Sequence, residues 1–212
     1  MDAWAVIVAA GGGTRFGGAK QFAMLAGTSV LDRSVATAVG ACAGVVVVLP
    51  HDGDWTPPAG VVTVVGGATR SESVRAGLAA VPAEVEIVAV HDAARPLASP
   101  GLWAAVIAAV RSGAAAAVPG LAVADTVKRV RAGSIVETVR RDDLVLVQTP
   151  QAFRANVLRD AHATGGIGTD DAALVEAAGG TVVVVAGEVA NRKITEPDDL
   201  VFAEAMLSTT RS

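Results

Sequence analysis

The sequence predicts an α/β fold, a mostly parallel β-sheet with helices on both faces. Short apolar runs rich in Val, Ile and Ala alternate along the chain with stretches of helical periodicity. The runs are almost continuously apolar, which is typical of strands buried on both faces of a parallel sheet. Polar clusters recur where the runs end, at the edge where open α/β sheets bind ligands. At 212 residues the chain is long enough for one domain with a full core, and we expect a single domain over residues 1–212.

The expected strands and helices follow one another in a regular order. The strand-like runs are Trp4–Ala10, Val45–Leu49, Val61–Val65, Val85–Val90, Ala114–Val118 and Thr181–Ala186. The helix-like stretches are Val30–Val39, Glu72–Ala80, Leu102–Val110, Asp170–Ala178 and Asp198–Met206. Because crossovers between parallel strands are right-handed, this order predicts a Rossmann-like sheet with its active loops at the carboxyl ends of the strands.

One segment departs from this alternation. Residues 121–147 follow a period of two on either side of Ala132-Gly133, which predicts two antiparallel strands joined by a turn. An extended hairpin buries little apolar surface by itself. We therefore expect a protruding β-hairpin arm that packs on a second subunit in a homodimer. An ordinary hairpin at the edge of the chain's own sheet is the alternative.

The amino-acid composition argues against several classes of function. The formal net charge is −4 and the pI is about 5.3, which argues against a nucleic-acid partner. Hydrophobic residues make up 52% of the chain, but no apolar run reaches the roughly 18 residues that a membrane span needs. Cys42 is the only cysteine, so the chain cannot form an internal disulfide. We expect a cytoplasmic enzyme or binding protein with no membrane partner.

The first strand runs into a glycine-rich loop, VIVAAGGGTRFGGAKQ, at residues 6–21. Glycines after a strand let backbone N–H groups approach phosphates, and Arg15 and Lys20 add positive charge. The dinucleotide pattern G-x-G-x-x-G fails because Phe16 stands at its third glycine, which disfavours a nicotinamide oxidoreductase. The P-loop pattern also fails, because Ala-Lys-Gln replaces its Gly-Lys-Ser/Thr ending. The loop alone leaves phosphate binding and a plain surface loop equally open.

Lysine is rare in this chain. Only three of the 17 basic residues are lysines, Lys20, Lys128 and Lys193, and the remaining 14 are arginines. Since arginine is accepted at most cationic positions, the lysines indicate sites that need a compact, flexible ammonium group. All three lie in or beside polar motifs, which favours a ligand-binding role over the usual solvated surface position.

Polar motifs also follow the later strands. They read GGATRSESV (66–74), VHDAARP (90–96), DTVKR (125–129), QTPQ (148–151), GTDDA (168–172) and NRKIT (191–195). Together with the opening loop, in this order, they resemble the 2-C-methyl-D-erythritol 4-phosphate cytidylyltransferase family from Val6 to about Leu207. The resemblance implies a nucleotidyltransferase-type fold with a dimerisation arm. It also implies transfer of a cytidylyl group from CTP to 2-C-methyl-D-erythritol 4-phosphate, with release of pyrophosphate.

The implied reaction needs no general base, because a phosphate monoester with a second pKa of about 6 is largely dianionic at neutral pH. The sequence accordingly offers no convincing Ser-His-Asp or Cys-His arrangement. The difficulty is electrostatic, since two polyanions must meet, and one positioned cation is worth on the order of 10²–10³ in rate. A magnesium ion, Mg2+, or another divalent cation is implied by the triphosphate. We expect phosphates and water to hold it mainly, with Asp92 as the candidate protein ligand.

The resemblance assigns roles to individual residues. The catalytic group is Arg15, Lys20, Arg141 and Lys193, the first two at the CTP phosphates and the others placing the acceptor phosphate. CTP binding is expected from Ala9, Ala10, Gly11, Gly12, Gly66, Gly67, Arg70 and Ser73. Acceptor binding is expected from Asp92, Arg95, Thr126 and Thr149, with Thr126 reaching the site of the other subunit.

Several alternatives stay open at this point. Ser73 and Thr169 both stand where a residue that caps a helix would stand, and we favour the cap for Thr169, with Asp170 a possible site residue. For the whole chain, one alternative is a cytidylyltransferase for another polyol phosphate such as ribitol 5-phosphate. The other is a non-catalytic nucleotide-binding module on the same scaffold.

Overall fold

The computed structural model describes residues 3–209, so residues 1, 2 and 210–212 of the expected domain lie outside it. The strands are β1 (Ala3–Val8), β2 (Met24–Leu25), β3 (Thr28–Ser29), β4 (Gly44–Leu49), β5 (Val61–Val65), β6 (Ile87–Asp92), β7 (Ala116–Ala122), β8 (Val127–Arg131), β9 (Ser134–Val139), β10 (Val145–Val147), β11 (Gln151–Arg154) and β12 (Val182–Ala186). The α-helices are α1 (Val30–Ala41), α2 (Arg70–Ala79), α3 (Pro100–Arg111), α4 (Ala155–Ala163), α5 (Asp171–Ala177) and α6 (Pro197–Thr209). None of these helices has both the length and the apolar character that crossing a membrane would require.

The main sheet has eight strands and is mostly parallel. Its order is β10-β7-β11-β6-β1-β4-β5, and β12 pairs with β7. The pairs β1–β4, β1–β6, β4–β5 and β7–β12 are parallel, whereas β10 and β11 pair antiparallel to their neighbours. This arrangement confirms the predicted fold class. Two elements were not predicted from the sequence: β11, which is inserted between β6 and β7, and helix α4.

Apolar cores lie on both faces of this sheet. Alternate residues of β1 point to opposite faces, so fully buried Ile7 belongs to one core and fully buried Val6 to the other. Helices α1 and α3 cover the first core, in which Trp103 is fully buried. Helices α2, α4 and α5 cover the second core, around residues such as Leu158. Because both faces are covered, the strands are apolar throughout, and polar side chains collect at the strand ends.

The arm is a two-stranded antiparallel sheet of its own, formed by β8 and β9. Its turn is Ala132-Gly133, with φ values of 47° and 79°, as the two-residue turn of a twisted hairpin requires. The arm is shorter than the predicted 121–147, because residues 120–122 of β7 and 145–147 of β10 pair with each other at the edge of the main sheet, and only β8 and β9 extend beyond it. Val130 and Ile135 are cross-strand partners and are 56% and 64% exposed. The predicted strand pair and turn are present, and dimerisation through them stays a prediction.

Candidate active site

The carboxyl ends of β1 and β6 and the start of α2 border a cavity of about 280 Å³. It lies where an open α/β sheet is expected to bind its ligand. The lining residues come from the glycine loop, the turn before α2, the end of β6 and the segment after β12. They are Val8, Ala9, Ala10, Gly11, Gly12, Lys20, Gln21, Gly67, Ala68, Thr69, Arg70, Ser73, Asp92, Ala93, Ala94 and Lys193.

The glycine loop folds back on itself before it reaches the cavity. The carbonyl of Gly13 accepts hydrogen bonds from the N–H groups of Phe16 and Gly17, at 2.9 and 3.1 Å. Gly13 has a φ of 63°, and a Cβ atom there would lie 1.9 Å from the carbonyl oxygen of Gly18. Only glycine fits this turn. The chain then enters a short 3₁₀ helix that begins at Lys20 and lies beside the cavity.

Lys20 and Lys193 line the same cavity, as the sequence analysis expected. Burial lowers the pKa of Lys20, and the positive charge of Lys193 lowers it further. Asp92 opposes this shift, and Arg15 adds to it. Such coupling acts only between charges that lie near one another, so these cations form one electrostatic group. An anion between the two ammonium groups would relieve their repulsion.

Asp92, the last residue of β6, pairs with two of the cations. Its Oδ2 accepts a hydrogen bond from Lys193 Nζ at 2.6 Å, and its Oδ1 accepts one from Arg70 Nε at 3.1 Å. Burial by itself would raise the pKa of this carboxyl, but Arg70 and Lys193 outweigh burial and hold the pKa well below its usual range. Asp92 is therefore ionised at neutral pH and holds both cations at the edge of the cavity.

A second carboxylate, which sequence reasoning did not place in the site, lies behind Arg70. Arg70 Nη1 donates to Asp171 Oδ2 at 2.9 Å, and Asp171 Oδ1 lies 3.0 Å from His162 Nε2. Asp171 is fully buried. Burial lowers the pKa of Arg70, but the two carboxylates outweigh burial and raise it overall. Asp171 belongs to the GTDDA motif, which is the sequence signal that could have found it.

Ser73 lies inside α2 rather than at its start, where Thr69 is the cap. Its Oγ accepts a hydrogen bond from Gly67 N–H at 3.2 Å and donates one to the Thr69 carbonyl at 3.0 Å. Gly66 lies behind this turn, where a Cβ atom would come within 2.5 Å of Ala10 Cβ. All the residues expected to bind CTP, except Gly66, line the cavity. Gly66 instead permits close packing of the two loops.

A second cavity of about 200 Å³ shares Arg70, Asp92 and Lys193 with the first. Its other lining residues are Arg95, Val147, Gln148, Thr149, Gln151, Thr169 and Asp170. Three of the expected acceptor residues, Asp92, Arg95 and Thr149, therefore lie together. The shared side chains stand between the two cavities, where groups bound on either side would meet.

Asp170, not Thr169, caps α5, so the favoured cap assignment for Thr169 is wrong. Asp170 Oδ1 accepts the N–H of Ala173 at 2.9 Å, and its Oδ2 accepts a hydrogen bond from Gln151 Nε2 at 2.8 Å. A carboxylate can accept both bonds, and its negative charge suits the positive end of a helix. Thr169 lines the second cavity instead.

The hydroxyl group of Thr149 is held in a fixed direction. It accepts a hydrogen bond from the backbone N–H of Asp92 at 3.0 Å and lies 3.0 Å from His91 Nδ1. His91 Nε2 lies 3.2 Å from the Arg95 carbonyl, which can only accept, so Nε2 carries the proton and Nδ1 accepts from Thr149. Burial lowers the pKa of His91 to about 4, although Asp92 opposes the shift. His91 is therefore neutral at neutral pH and orients Thr149.

Besides Gly66, three expected site residues lie outside the lining of both cavities. Arg15 is exposed on the glycine loop, and Thr126 is exposed beside β8. Arg141 is exposed at the base of the arm and donates to the carbonyl of Ala124. Lys128 also lies on the arm, so the reasoning from lysine scarcity applies to only two of the three lysines. Within one chain, the structure does not bring Arg141 and Thr126 to the cavities.

Within the described residues, 3–209, no group of three or more His, Cys, Asp or Glu side chains could hold a metal ion. Asp92 is the carboxylate in the lining of the first cavity, and each of its oxygens is paired with a cation. One paired carboxylate does not form a magnesium site, which needs about six oxygen ligands. A divalent cation at this place would have Asp92 as its candidate protein ligand and would need its other oxygen ligands from water or a bound phosphate.

Comparisons with known proteins agree with this geometry. The family model for 2-C-methyl-D-erythritol 4-phosphate cytidylyltransferase (IspD) matches residues 3–209. The protein of that name from Rhodococcus opacus (strain B4) is 46% identical over 213 residues, which cover 96% of this chain and 94% of the relative. The solved structure of the Thermus thermophilus protein of the same name has a TM-score of 0.84 and 39% identity, and the match covers 96% of this chain and 98% of that one.

Other relatives are longer. The bifunctional enzyme IspD/IspF of Nitratidesulfovibrio vulgaris (strain DP4) is 43% identical over 235 residues, which cover 97% of this chain. The same match covers only 58% of that relative. This chain thus spans little more than half the length of the bifunctional proteins that it matches.

Proposed function

Because the chain belongs to the 2-C-methyl-D-erythritol 4-phosphate cytidylyltransferase family, we propose that it transfers the cytidylyl group of CTP to 2-C-methyl-D-erythritol 4-phosphate. An oxygen of the acceptor phosphate attacks the α-phosphorus of CTP, and the bond between that phosphorus and the oxygen bridging to the β-phosphate breaks. The products are 4-diphosphocytidyl-2-C-methyl-D-erythritol and pyrophosphate. The observation that carries the proposal is the group of cations around Asp92 at the junction of two cavities.

We assign the first cavity to CTP. Ser73 and the backbone around Ala9 and Gly67 supply small neutral groups suited to a base, and Lys20 supplies charge for the triphosphate. Arg15, on the glycine loop, would join Lys20 when that loop closes over the phosphates. A divalent cation bound to the phosphates would neutralise part of their charge, with Asp92 as its protein ligand.

We assign the second cavity to the acceptor. Lys193 lies between the two cavities, so its ammonium group can hold the acceptor phosphate beside the α-phosphate of CTP. Thr149 and Asp92 offer polar atoms to the acceptor's hydroxyl groups. No proton has to be removed from the nucleophile, because the phosphate is already ionised. The residues act by holding two anions in line against their mutual repulsion.

The arm gives a reason for a homodimer. Val130 and Ile135 expose apolar surface on a hairpin that has no core of its own. Arg141 and Thr126 lie on or near this arm, away from the cavities of their own chain. We propose that the arm packs on a second copy and carries these two residues to that copy's acceptor cavity.

Pyrophosphate release tests the activity. Purified protein with CTP and Mg2+ is expected to release pyrophosphate with 2-C-methyl-D-erythritol 4-phosphate and far less with ribitol 5-phosphate. A preference for ribitol 5-phosphate would mean that the acceptor is another polyol phosphate. Binding of CTP with no turnover on any polyol phosphate would favour the non-catalytic nucleotide-binding module.

Mixing two impaired variants tests the shared site. Lys193→Ala and Arg141→Ala are each expected to retain only a small residual activity as homodimers. After unfolding and refolding together, mixed dimers would contain one site without either substitution, so activity would return. No recovery, with dimers present by sedimentation, would mean that each chain completes its own site. Val130→Glu should weaken the dimer, whereas Val201→Glu, at a valine 68% exposed on α6, serves as the matched control.

A further inference from the structure

We propose that Gln148 is a positioning residue for Lys193: its side-chain amide fastens the segment that carries Lys193 to the strand end that carries Thr149. The inference rests on the proposed function, in which Lys193 places the acceptor phosphate. Neither Gln148 nor the segment before Lys193 has a role in the mechanism so far.

The segment that carries Lys193 has no regular secondary structure. Residues 187–196 lie between β12 and α6 and form neither helix nor strand. A chain without helix or sheet hydrogen bonds depends on other partners for its polar groups when it is buried. Asn191 in this segment is fully buried, and the neighbouring Ile194 is 1% exposed. Something other than secondary structure must therefore hold the backbone on either side of Lys193.

Gln148 supplies these bonds. Its Nε2 donates to the carbonyls of Glu188 and Asn191 at 2.8 and 3.2 Å. Its Oε1 accepts hydrogen bonds from Glu188 N–H at 3.0 Å and from Asn191 Nδ2 at 3.3 Å. All four bonds therefore run to one short stretch of chain. The pairing with both backbone groups of Glu188 also fixes which end of the amide is oxygen.

The amide is itself held rigidly. Gln148 is 4% exposed, and its backbone N–H donates to the carbonyl of Pro119 in β7 at 2.8 Å. Asn191 adds a bond from Nδ2 to the carbonyl of Thr149 at 2.9 Å. Through this contact the Lys193 segment is tied to the residue that lines the acceptor cavity. The main sheet thus holds both the Gln148 side chain and the segment that carries Lys193.

The far side of Lys193 is fastened separately. Ile194 N–H donates to the carbonyl of Ala94, next to the end of β6, at 2.8 Å. Lys193 is therefore held between Asn191, anchored by Gln148, and Ile194, anchored near β6. Its ammonium group then meets Asp92 Oδ2 at 2.6 Å. Without Gln148 the stretch before Lys193 loses four hydrogen bonds and keeps those that Asn191 makes with Arg95 Nη1 at 2.8 Å and with the Thr149 carbonyl at 2.9 Å, so it is held less firmly. A misplacement of about 1 Å costs on the order of 10²-fold in rate.

Gln148→Met removes all four bonds at nearly constant volume. We expect kcat/KM for the acceptor to fall on the order of 10²-fold, while the Kd for CTP measured without acceptor changes far less. In a Lys193→Ala background the same substitution should have little further effect, because no ammonium group remains to be misplaced. An equal loss with and without Lys193, or an equal loss in CTP binding, would overturn the positioning role.

Hydrogen–deuterium exchange gives a readout without turnover. In the ligand-free full chain, Gln148→Met should speed exchange of the amides in residues 188–194 and leave those of β6 protected. Gln151→Met is the matched control, because Gln151 is as buried as Gln148, but its amide donates to Asp170 Oδ2 at 2.8 Å and to the Gln148 backbone carbonyl at 3.5 Å rather than to residues 188–194. It should leave exchange at 188–194 unchanged. Unchanged exchange there in Gln148→Met, or the same increase in both variants, would refute the proposal.

The two hypotheses fail differently. If wild-type protein does not turn over any polyol phosphate, the proposed function fails, yet the exchange experiment still decides whether Gln148 holds the segment. Should Gln148→Met not fold, Gln148→Glu keeps the acceptor oxygen and removes only the two donated bonds. It should show the same faster exchange at 188–194, and normal exchange in that variant would also contradict the proposal.

Discussion

Lys193→Arg should separate catalysis from folding stability. The Lys193 side chain is 40% exposed and pairs with Asp92 at 2.6 Å. An ion pair with one partner this exposed contributes at most about 1 kcal/mol, and arginine keeps the charge. We therefore expect the free energy of unfolding to change by less than about 1 kcal/mol.

Turnover should respond much more strongly. Lys193 lies between the two cavities, so its replacement sits where the two phosphates are proposed to meet. A guanidinium group is wider than an ammonium group, and its planar fork must occupy part of that space to keep the contact with Asp92. Misplacing one cation at the reacting phosphates is expected to cost on the order of 10²–10³ in kcat, about 3–4 kcal/mol of transition-state stabilisation.

The assay measures pyrophosphate release together with urea denaturation of the same preparations. Lys128→Arg is the matched control, because Lys128 is exposed on the arm and donates to Thr138 Oγ1 at 2.6 Å, outside both cavities. It should keep its activity. If Lys193→Arg turns over within about threefold of wild type, a compact ammonium group is not required, and the reasoning from lysine scarcity is wrong.

Two further predictions concern the buried charges. Asp171→Asn should lower the free energy of unfolding by about 3–5 kcal/mol, because the partly buried Arg70 loses one of its two carboxylates. Urea denaturation measures this loss, and a value below about 1 kcal/mol would contradict the prediction. The pKa of His91 in the folded protein, about 4, lies below its usual 6.5, so the unfolded chain binds the proton first as the pH falls. Stability should therefore be lost between pH 6.5 and 4, by about 3 kcal/mol. In His91→Gln this part of the pH dependence should disappear, and an unchanged slope in urea denaturation would refute the assignment.

The fold class could be predicted because strands covered on both faces must be apolar along their buried length, as β1 and β4 are. The short strand β11 could not be recognised in the same way. Its four residues, QAFR, offer too few positions to show a period. They form a strand because β6 and β7 lie on either side and supply hydrogen-bond partners. That pairing exists only after the chain has folded.

The candidate site could likewise be predicted only in part from the sequence. Glycine loops and charged residues at strand ends placed Lys20, Asp92 and Lys193 near one another, because strand ends in a parallel sheet share one edge. Asp171 was not recognised, because it lies in the first turn of α5 rather than at a strand end, and its contact with Arg70 exists only in the folded chain. Gln148 was not recognised either, because an amide that bonds to backbone leaves no sign in the pattern of its own segment.

A carboxylate in the pocket proposed for two phosphate-bearing substrates is at first sight unfavourable, and the contacts of Asp92 give a reason for it. Lys20, Lys193 and Arg70 line a single cavity, and without an anion among them their repulsion and burial would favour loss of a proton from a lysine. Asp92 pairs with Lys193 and Arg70 and opposes the lowering of the pKa of Lys20. It therefore holds Lys193 and Arg70 in place and favours the charged form of Lys20 before a substrate binds. In the proposed reaction, phosphates that enter the cavity compete with Asp92 for Lys193, so this lysine can turn from the carboxylate to the acceptor.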